Sequence, residues 1–317
     1  MNDTSFLSAC AEETLVFREP GLSDISLLNK YFETYGSRSC DLSVGGVLMW
    51  SEWYSYRICE VDGTLLIKGY DPRLRTHVFY EPCGPLPVSA WLSIIEDYSR
   101  MHHLDRWIAV CAEEENLENT DRLTGSLPTQ TGTVTEWKEY LYPIERFISF
   151  AGKKMEKKRN HLHYFINNYS PYTIEEITPE RKTELLAFCM KFGLAHADDE
   201  LASYESQQVA EVLRNYDSYP FYGVLLRKDE EILGFSFGEL IGDTFIIHAE
   251  KGDVRYRGVY QALSSALAAG VREKFSGVRY LNREDDMGND NLRKSKESYH
   301  PAMFIHKRII ASGGTAR

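Results

Sequence analysis

The chain has 317 residues, of which 43% are hydrophobic and 26% are charged, and its formal net charge is −11 at pH 7. This composition is typical of a folded globular protein, and the length favours two domains over one. An acidic balance argues against a general nucleic-acid binder, whose surface is basic overall, but it leaves room for a local basic groove.

The sequence carries no pattern typical of export or membrane insertion. It has no run of about 18 apolar residues, and its start, MNDTSFLSACAEETLVF, lacks the basic residues and apolar stretch of a signal peptide. The cysteines form no paired motif and have no histidine at zinc-binding spacing. They are Cys10, Cys40, Cys59, Cys83, Cys111 and Cys189. We therefore expect a cytoplasmic protein with reduced thiols and no metal site.

The first half of the chain alternates between short apolar runs and amphipathic stretches, which predicts a mixture of strands and helices. We assign residues 1–143 to a first domain. Its predicted elements are a strand near 14–18, a helix over 22–34, strands near 54–61, 64–69 and 76–81, a helix over 88–102, a strand over 106–111, a helix near 113–122 and a strand over 135–142.

A basic segment, assigned to residues 144–170, follows this domain and is predicted to be a helix with one buried side. Between residues 152 and 163, Glu156 is the single acid. The basic side either is simply solvated or contacts phosphate at the border of a cleft between the domains. The candidates for such contacts are Lys158, Arg159 and Asn160.

The second half, assigned to residues 171–317, shows a clearer order of elements. This order, β-α-α-β-β-β-α-β-α-β, is that of the GNAT acyltransferase fold, and the first half echoes it. We therefore predict an α/β (α+β) protein with a tandem GNAT-like fold, built from two mixed sheets flanked by helices. The predicted elements are strands over 172–177, 221–228, 231–240, 243–250, 278–282 and 302–310, and helices over 178–194, 200–216, 258–275 and 290–298.

In GNAT enzymes the pyrophosphate of acyl-CoA lies at the start of the helix that follows the fourth strand, where free N–H groups favour anions. The usual signature at this turn is Q/R-x-x-G-x-G/A. This chain has Arg255 and Gly258 but places Tyr260 where the small residue is expected. A tyrosine there would obstruct the close approach of a pyrophosphate, which weakens the case for acyl-CoA as the donor.

Four blocks of the sequence carry a family resemblance. They are CDLSVGGVLMWSEWY, GKKMEKKRNHLHYF, IIHAEKGDVRYRGVYQ and YLNREDDMGNDNLRKSKESYHP. In this order they resemble an uncharacterised bacterial family related to the C-terminal domain of phosphatidylglycerol lysyltransferases. The resemblance covers roughly residues 40 to 310. It implies a tandem GNAT arrangement, which is also found in peptidoglycan-bridge aminoacyltransferases that draw on aminoacyl-tRNA.

Two departures from that family limit what the resemblance implies. The family's usual EKA is here EKG, formed by Glu250, Lys251 and Gly252, which leaves the charges intact. The lysyltransferases also carry a long membrane-spanning half that this sequence does not show. A lipid substrate is therefore not implied.

The stretch from 280 to 301 is dense in charge. Its acids precede its bases along a predicted helix, an arrangement that the helix dipole favours and that surface ion pairs would also explain. A ligand site is the alternative, because a strand ending at residue 282 would place the next loop at the ligand-binding edge of the sheet. Its acids would then receive an ammonium group and its bases a phosphate or carboxylate. The substrate-binding candidates are Asn282, Arg283, Glu284, Asp286, Arg293 and Lys296.

Three residues are candidates for proton transfer. His248 and Glu250 alternate on the predicted strand 243–250 and so point to one face. Either could take the proton from an attacking amine, although a buried structural histidine is the competing interpretation. Tyr299 is a candidate proton donor to the leaving group. The further substrate-binding candidates are Lys251, Tyr260 and Gln261.

Three functions follow from these observations. The favoured hypothesis is an acyltransferase that moves an aminoacyl or acyl group, with aminoacyl-tRNA as the donor and tRNA as a partner, onto an amine or hydroxyl acceptor such as a small molecule or peptide. The second is acetyl-CoA-dependent N-acetyltransfer. The third is a non-catalytic sensor that binds a small ligand. No cofactor is predicted besides aminoacyl-tRNA or acyl-CoA as the co-substrate.

Overall fold

The computed structural model describes residues 15–114, 130–194 and 199–311. Its helices are α1 (Ile25–Tyr35), α2 (Val44–Met49), α3 (Val88–Met101), α4 (Ile144–Ser149), α5 (Glu156–Tyr169), α6 (Lys182–Leu194), α7 (Glu200–Arg214), α8 (Val259–Lys274) and α9 (Asp290–Glu297). Its strands are β1 (Arg57–Val61), β2 (Thr64–Asp71), β3 (Thr76–Tyr80), β4 (Trp107–Glu114), β5 (Gln130–Thr133), β6 (Glu139–Pro143), β7 (Thr173–Glu176), β8 (Phe221–Lys228), β9 (Glu231–Ile241), β10 (Thr244–Gly252), β11 (Tyr280–Asn282) and β12 (Met303–Ala311).

The described strands form one continuous sheet. Its order is β1-β2-β3-β4-β12-β6-β11-β10-β9-β8-β7, and β5 pairs with β12 beside this path. The predicted tandem GNAT-like α/β fold is confirmed, but its two sheets are joined edge to edge into one. The proposed division of the chain at residues 143 and 170 stays a prediction, because the sheet runs across it.

The joint between the two halves is an exchange of strands. The last strand, β12, pairs with β4 of the first half, whereas β6 of the first half pairs with β11 of the second. β12 and β6 also pair with each other in the middle of the sheet. Each half therefore contributes a strand to the sheet of the other half.

A buried lysine ties the exchanged strands together. Lys307 on β12 has a side chain that is 2% exposed, and its ammonium contacts Glu139 on β6, Asp41 at 2.5 Å and the hydroxyl of Ser39. Asn282, at the end of β11, donates to the same Glu139 carboxylate. Four separate segments of the chain thus meet at one charge cluster, where each charge needs its partners because it is buried.

Helices cover both faces of the second-half sheet. On one face α4, α5 and α8 pack around a core that includes Phe147, Phe165 and Leu263, all fully buried. On the other face α6 and α7 contact strand residues such as Phe235 and Ala249. This alternation along β9 and β10 is what a strand buried on both faces requires.

Most predicted elements are confirmed, strand β5 was not predicted, and there are four further differences. The strand near 14–18 is reduced to one bridge between Arg18 and Ile58. The basic segment forms two helices, α4 and α5, because Phe150 and Gly152 take positive φ angles of 48° and 93° between them. Over 113–114 the chain is still in β4, and the rest of the helix predicted near 113–122 lies outside the described residues. Helix α2 was not predicted.

The short helix α2 is apolar throughout, and its sequence VGGVLM contains two glycines that disfavour a helix assignment. Ser43 begins it by accepting a hydrogen bond from the Gly46 N–H. Among the described residues, no helix has both the length and the apolar character needed to cross a membrane. The five cysteines in these ranges form no disulfide bond.

Candidate functional site

A cavity of about 810 Å³ is lined by residues of both halves and of the basic helix α5. From the second half it takes side chains of α7, β10, the start of α8 and the segment after β11. From the first half it takes side chains of the segment around α2 and of β2 and β3. The predicted site residues that line it are Lys158, His248, Glu250, Lys251, Tyr260, Gln261, Arg283, Glu284, Asp286, Lys296 and Tyr299.

Four predicted site residues do not line the cavity. Arg159 donates from Nη1 to the carbonyl oxygens of Phe150 and Gly152, at 2.8 and 3.1 Å, and so closes the turn between α4 and α5. Asn160 is exposed on α5. Asn282 is fully buried in the charge cluster of Lys307, and Arg293 is paired with acids of its own segment, as described below.

His248 is held between two carboxylates. Its Nε2 lies 2.7 Å from Glu239 and its Nδ1 lies 2.8 Å from Glu284. Burial alone would lower the pKa of His248, but the hydrogen bonds to both carboxylates raise it to about 9. The imidazole is therefore protonated at neutral pH and has no free site for another proton. Its position is that of the buried structural histidine, the competing interpretation in the sequence analysis.

Backbone groups of α2 complete this arrangement. The Glu239 carboxylate also accepts hydrogen bonds from the N–H groups of Val44 and Gly45, at 3.1 and 2.7 Å. Gly45 lies so close to His248 that a β-carbon there would be 2.4 Å from the imidazole ring. The missing side chain of Gly45 thus makes room for the histidine.

Glu250 and Arg283 form the second charged unit. The carboxylate of Glu250 accepts from Nη2 of Arg283 and from the hydroxyl of Ser264, both at 2.9 Å. Burial alone would lower the pKa of Arg283, but the charge of Glu250 raises it, so the guanidinium stays charged. Its Nη1 is buried and has no hydrogen-bond partner among the described residues. Such an unused donor in a cavity is a site for an anionic or carbonyl oxygen.

Tyr299 lies next to this guanidinium. The side chain of Gln261 donates to its hydroxyl oxygen at 2.7 Å, and no hydrogen bond within the described ranges uses the hydroxyl proton. The ammonium of Lys158 lies 3.7 Å from the centre of its ring, and the guanidinium carbon of Arg283 lies 4.8 Å away. Burial, followed by the charges of Arg283 and Lys157, lowers the pKa of Lys158 to about 8.

The acids and bases of the segment after β11 are mostly paired with one another. Asp286 accepts from Nε and Nη2 of Arg293, at 3.0 and 2.8 Å, and from the hydroxyl of Tyr140 at 2.6 Å. Burial alone would raise the pKa of Asp286, but these partners hold it below its usual value. Lys296 donates to the carbonyl oxygens of Arg283 and Asp285. The two bases therefore do not form the predicted cationic face for a phosphate: Arg293 does not line the cavity, and the ammonium of Lys296 is used by carbonyl oxygens of the segment.

This segment has a strained backbone. Glu284 and Met287 take positive φ angles of 58° and 49°, which non-glycine residues adopt rarely. Asn282 stabilises the first of them by accepting from the Glu284 N–H at 2.7 Å, and Asp286 accepts from the Gly288 N–H at 3.0 Å. Strain of this kind persists where the surrounding contacts define one conformation, and it is common at functional sites.

The sequence analysis predicted no site residue in the first half of the chain, yet this half forms one wall of the cavity. It is rich in aromatic rings and acids, and the block CDLSVGGVLMWSEWY, quoted above for its resemblance, was the available signal. Asp285, in the segment after β11, also lines the cavity and was not among the predicted site residues. The first-half residues that line the cavity include Asp41, Trp50, Tyr54, Tyr56, Asp71, Tyr80 and Trp137.

A second cavity of about 250 Å³ lies at the start of α8. It shares Lys158, Tyr260 and Gln261 with the large cavity, and its other side chains include the basic residues Lys157 and Arg257. Across the large cavity, Lys251 is paired with Glu205 of α7 at 2.8 Å. The small cavity is thus the more cationic of the two.

One group of side chains has the spacing of a metal site. Cys40, Asp41 and Glu139 place one ligand atom each within 4.8 Å of one another. The ammonium of Lys307 contacts both carboxylates and so already supplies a positive charge to them. This cluster is therefore explained by the joint between the exchanged strands.

Comparison with known proteins identifies relatives of this chain. The profile of the family described as "Phosphatidylglycerol lysyltransferase, C-terminal" matches residues 32–311. An uncharacterized protein of Mycoplasmoides gallisepticum is 29% identical over 177 residues, which are 54% of this chain and 55% of that protein. The chain thus spans about half the length of this curated relative.

Solved structures show the same fold. A conserved protein of unknown function from Bacteroides thetaiotaomicron has a TM-score of 0.84 at 24% identity, covering 94% of this chain and all of that one. The C-terminal domain of a putative lysylphosphatidylglycerol synthetase from Agrobacterium fabrum has a TM-score of 0.62 at 12% identity, covering 92% of each chain. FemX has a TM-score of 0.59 at 9% identity, covering 92% of this chain and 97% of that one.

Proposed function

The chain belongs to the phosphatidylglycerol lysyltransferase C-terminal family, and on this premise we propose that its large cavity transfers an aminoacyl or acyl group to an amine or hydroxyl acceptor. Family and fold support an acyltransferase of the GNAT-like type. FemX, which shares the fold, is a peptidoglycan-bridge aminoacyltransferase. We propose aminoacyl-tRNA as the favoured donor and a small-molecule or peptide amine as the acceptor.

The unused Nη1 of Arg283 is the observation that carries this proposal. Glu250 accepts from Nη2 and so fixes the orientation of the guanidinium, whereas Nη1 donates to no described residue. In acyl transfer, negative charge develops on the oxygen of the attacked carbonyl, and a positioned donor that meets it lowers the barrier. The ammonium of Lys158, which lies 3.7 Å from the centre of the Tyr299 ring, adds a second positive charge.

Tyr299 is the proposed proton donor to the leaving oxygen. Because Gln261 already donates to its hydroxyl oxygen, the hydroxyl proton is directed away from Gln261. Burial raises the pKa of Tyr299, so the hydroxyl is neutral before the reaction. The nearby charge of Arg283 favours the tyrosinate that forms when the proton is given up.

The packing of α5 favours aminoacyl-tRNA over acyl-CoA. At Gly258, the turn where GNAT enzymes bind pyrophosphate, a β-carbon would lie 2.3 Å from the carbonyl oxygen of His161 on α5. The backbone of α5 therefore occupies space directly against this turn. Tyr260 also lies here, in the position where the signature expects a small residue.

A parallel assay of two donors tests the proposal. Purified protein is incubated at low salt with a pool of tRNAs charged with labelled amino acids, or with labelled acetyl-CoA, and glycinamide is the amine acceptor in both. We expect the labelled aminoacyl group to move from tRNA to the amino group of glycinamide. Transfer from acetyl-CoA alone would favour the second hypothesis, and absence of transfer, deacylation and binding in the tRNA arm would contradict the proposal.

Variants of two lysines make the assay specific. Lys158→Met should weaken tRNA binding and reduce its salt dependence by about one unit of the log–log slope, because one phosphate-facing charge is lost. Binding to the unaltered protein should also weaken above about pH 8, where Lys158 loses its charge. Lys30→Met, which removes an exposed lysine of α1, is the matched control. Equal effects of the two variants would remove Lys158 from the donor site.

A further inference from the structure

Asp285 is the acid of the charged segment that has no basic partner. Glu284 is paired with His248, and Asp286 and Asp290 are both paired with Arg293. The side chain of Asp285 instead accepts one hydrogen bond, from the Met287 N–H of its own turn at 2.9 Å. Its second oxygen receives no hydrogen bond from any residue in the described ranges.

The backbone of the segment directs Asp285 into the large cavity. Both flanking acids are held by partners, and Lys296 contacts the backbone carbonyl of Asp285 rather than its carboxylate. Asp285 lines the cavity together with Tyr54 of the first-half wall. Burial raises the pKa of Tyr54, and the negative charge of Asp285 is the next largest cause of this shift.

We propose that Asp285 binds the primary amine of the acceptor and takes the proton that this amine loses during transfer. This inference rests on the function proposed above and assigns its base. In the step, the nitrogen of the neutral amine attacks the acyl carbonyl carbon, a C–N bond forms and the C–O bond to the donor breaks. One amine proton passes to Asp285, and the leaving oxygen takes the proton of Tyr299. Solvent then carries a proton from Asp285 to Tyr299, which returns both side chains to their starting protonation states.

The other candidates for this role are already engaged. His248 holds a proton between Glu239 and Glu284 and has no free ring nitrogen. Glu250 has a hydrogen bond on each oxygen, one from Arg283 and one from Ser264. A free carboxylate oxygen in the cavity is what an ammonium group or its proton requires, and Asp285 offers one.

The charged groups around Asp285 make its protonation sensitive to pH near neutrality. Burial raises its pKa to about 7, the ammonium of Lys296 on α9 lowers it, and the carboxylates of Glu139 on β6 and Glu284 raise it. Tyr54, in the segment after α2, lines the same cavity. Arg73, in the β2–β3 turn, donates to the carbonyl of Met287 beside it. The carboxylate form is therefore the main one above neutral pH and the minor one below it.

Calorimetric titration with glycinamide tests the site without needing the donor. At about pH 8 the unaltered protein should bind this primary amine about tenfold or more tightly than Asp285→Asn, because the variant loses a charged hydrogen-bond acceptor. Binding should weaken towards about pH 6, and Asp285→Glu should retain part of it. Asp290→Asn, an exposed acid of the same segment that does not line the cavity, is the control. Thermal unfolding of each variant verifies that it is folded.

Each outcome decides the inference. Failure of the unaltered protein to bind glycinamide, or equal binding by Asp285→Asn, overturns it. Amine binding that depends on Asp285 without transfer from any donor would leave the amine site standing and contradict the acyl-transfer function. Transfer by Asp285→Asn at the unaltered rate and with the same pH profile would contradict the role of Asp285 as the base and leave the function standing.

Discussion

The carboxylate of Glu250 accepts a hydrogen bond from Nη2 of Arg283 at 2.9 Å, whereas Nη1 of the same guanidinium has no partner among the described residues. Glu250 lies on β10, and Arg283 follows β11, the next strand of the sheet. The sheet therefore sets their distance. This relationship fixes the position of a buried cation and leaves one of its hydrogen-bond donors without a partner among the described residues.

Replacing Arg283 by lysine should reduce transfer strongly. Arg283→Lys keeps the charge but loses the planar fork that contacts Glu250 and the ligand at once. Loss of one directed donor to a developing oxyanion costs about a hundredfold in rate. The measurement is the rate of transfer from charged tRNA. Arg272→Lys, at an exposed ion pair with Glu145, should transfer at the unaltered rate, and equal rates for both variants would exclude the proposed role.

The pairing of His248 should make stability depend on pH. Its pKa is about 9 in the folded protein and about 6.5 in the unfolded chain. The stabilisation is therefore complete below about pH 6.5 and is lost as the pH rises through 9, an effect of about 3 kcal/mol. The measurement is urea unfolding of the unaltered protein and of His248→Gln from about pH 6 to 10. The difference between them should shrink with rising pH.

The control for this measurement is a variant of an exposed histidine. His163 is exposed on α5, so His163→Gln should unfold like the unaltered protein at every pH. If the difference in unfolding free energy between His248→Gln and the unaltered protein stays constant across the range, the two carboxylates do not stabilise a protonated His248.

Removing the lysine at the joint between exchanged strands should destabilise the fold. Lys307→Met leaves Glu139 and Asp41 without their buried cation, which costs about 3–5 kcal/mol. Lys274→Met breaks an exposed ion pair with Glu176 and should cost about 1 kcal/mol or less. Urea unfolding measures both, and a similar cost for the two variants would contradict the structural role of the cluster.

The contact between α5 and the start of α8 predicts a specific requirement for glycine. Gly258 has a φ angle of 91°, and a β-carbon there would meet the His161 carbonyl oxygen at 2.3 Å. Gly258→Ala should lower the free energy of unfolding by about 1–3 kcal/mol or more from backbone strain and the clash. Gly277→Ala has open space around it and is the control. Equal unfolding midpoints would show that α5 does not pack against this turn.

The element order was predictable because it depends on local periodicity. The meander of β8, β9 and β10 alternates apolar residues between tight turns, and α8 repeats them at helical spacing. The exchange of β6 and β12 could not be predicted this way. Periodicity marks a segment as a strand but does not specify which of several strands it pairs with.

The candidate site was predictable to the extent that its residues share a strand or a helix end. His248 and Glu250 point to one cavity because alternation along β10 requires it. The pairing of Arg293 was not predictable, because its partner Asp286 lies in the loop before α9 and the conformation of that loop sets their distance. Tyr54 of the first half and Asp285 of the second line the same cavity, an arrangement that only the assembled sheet creates.

The exchanged strand β12 also bears on how the protein is made. Residues 57–114 leave the ribosome long before residues 303–311, yet β4, which pairs with β3 on one side, obtains its second neighbour only when β12 arrives. Until then the nascent first half carries an open sheet edge with unpaired backbone groups, a surface that invites pairing with other chains. The sheet of the first half is therefore completed only after residues 303–311 have been synthesised.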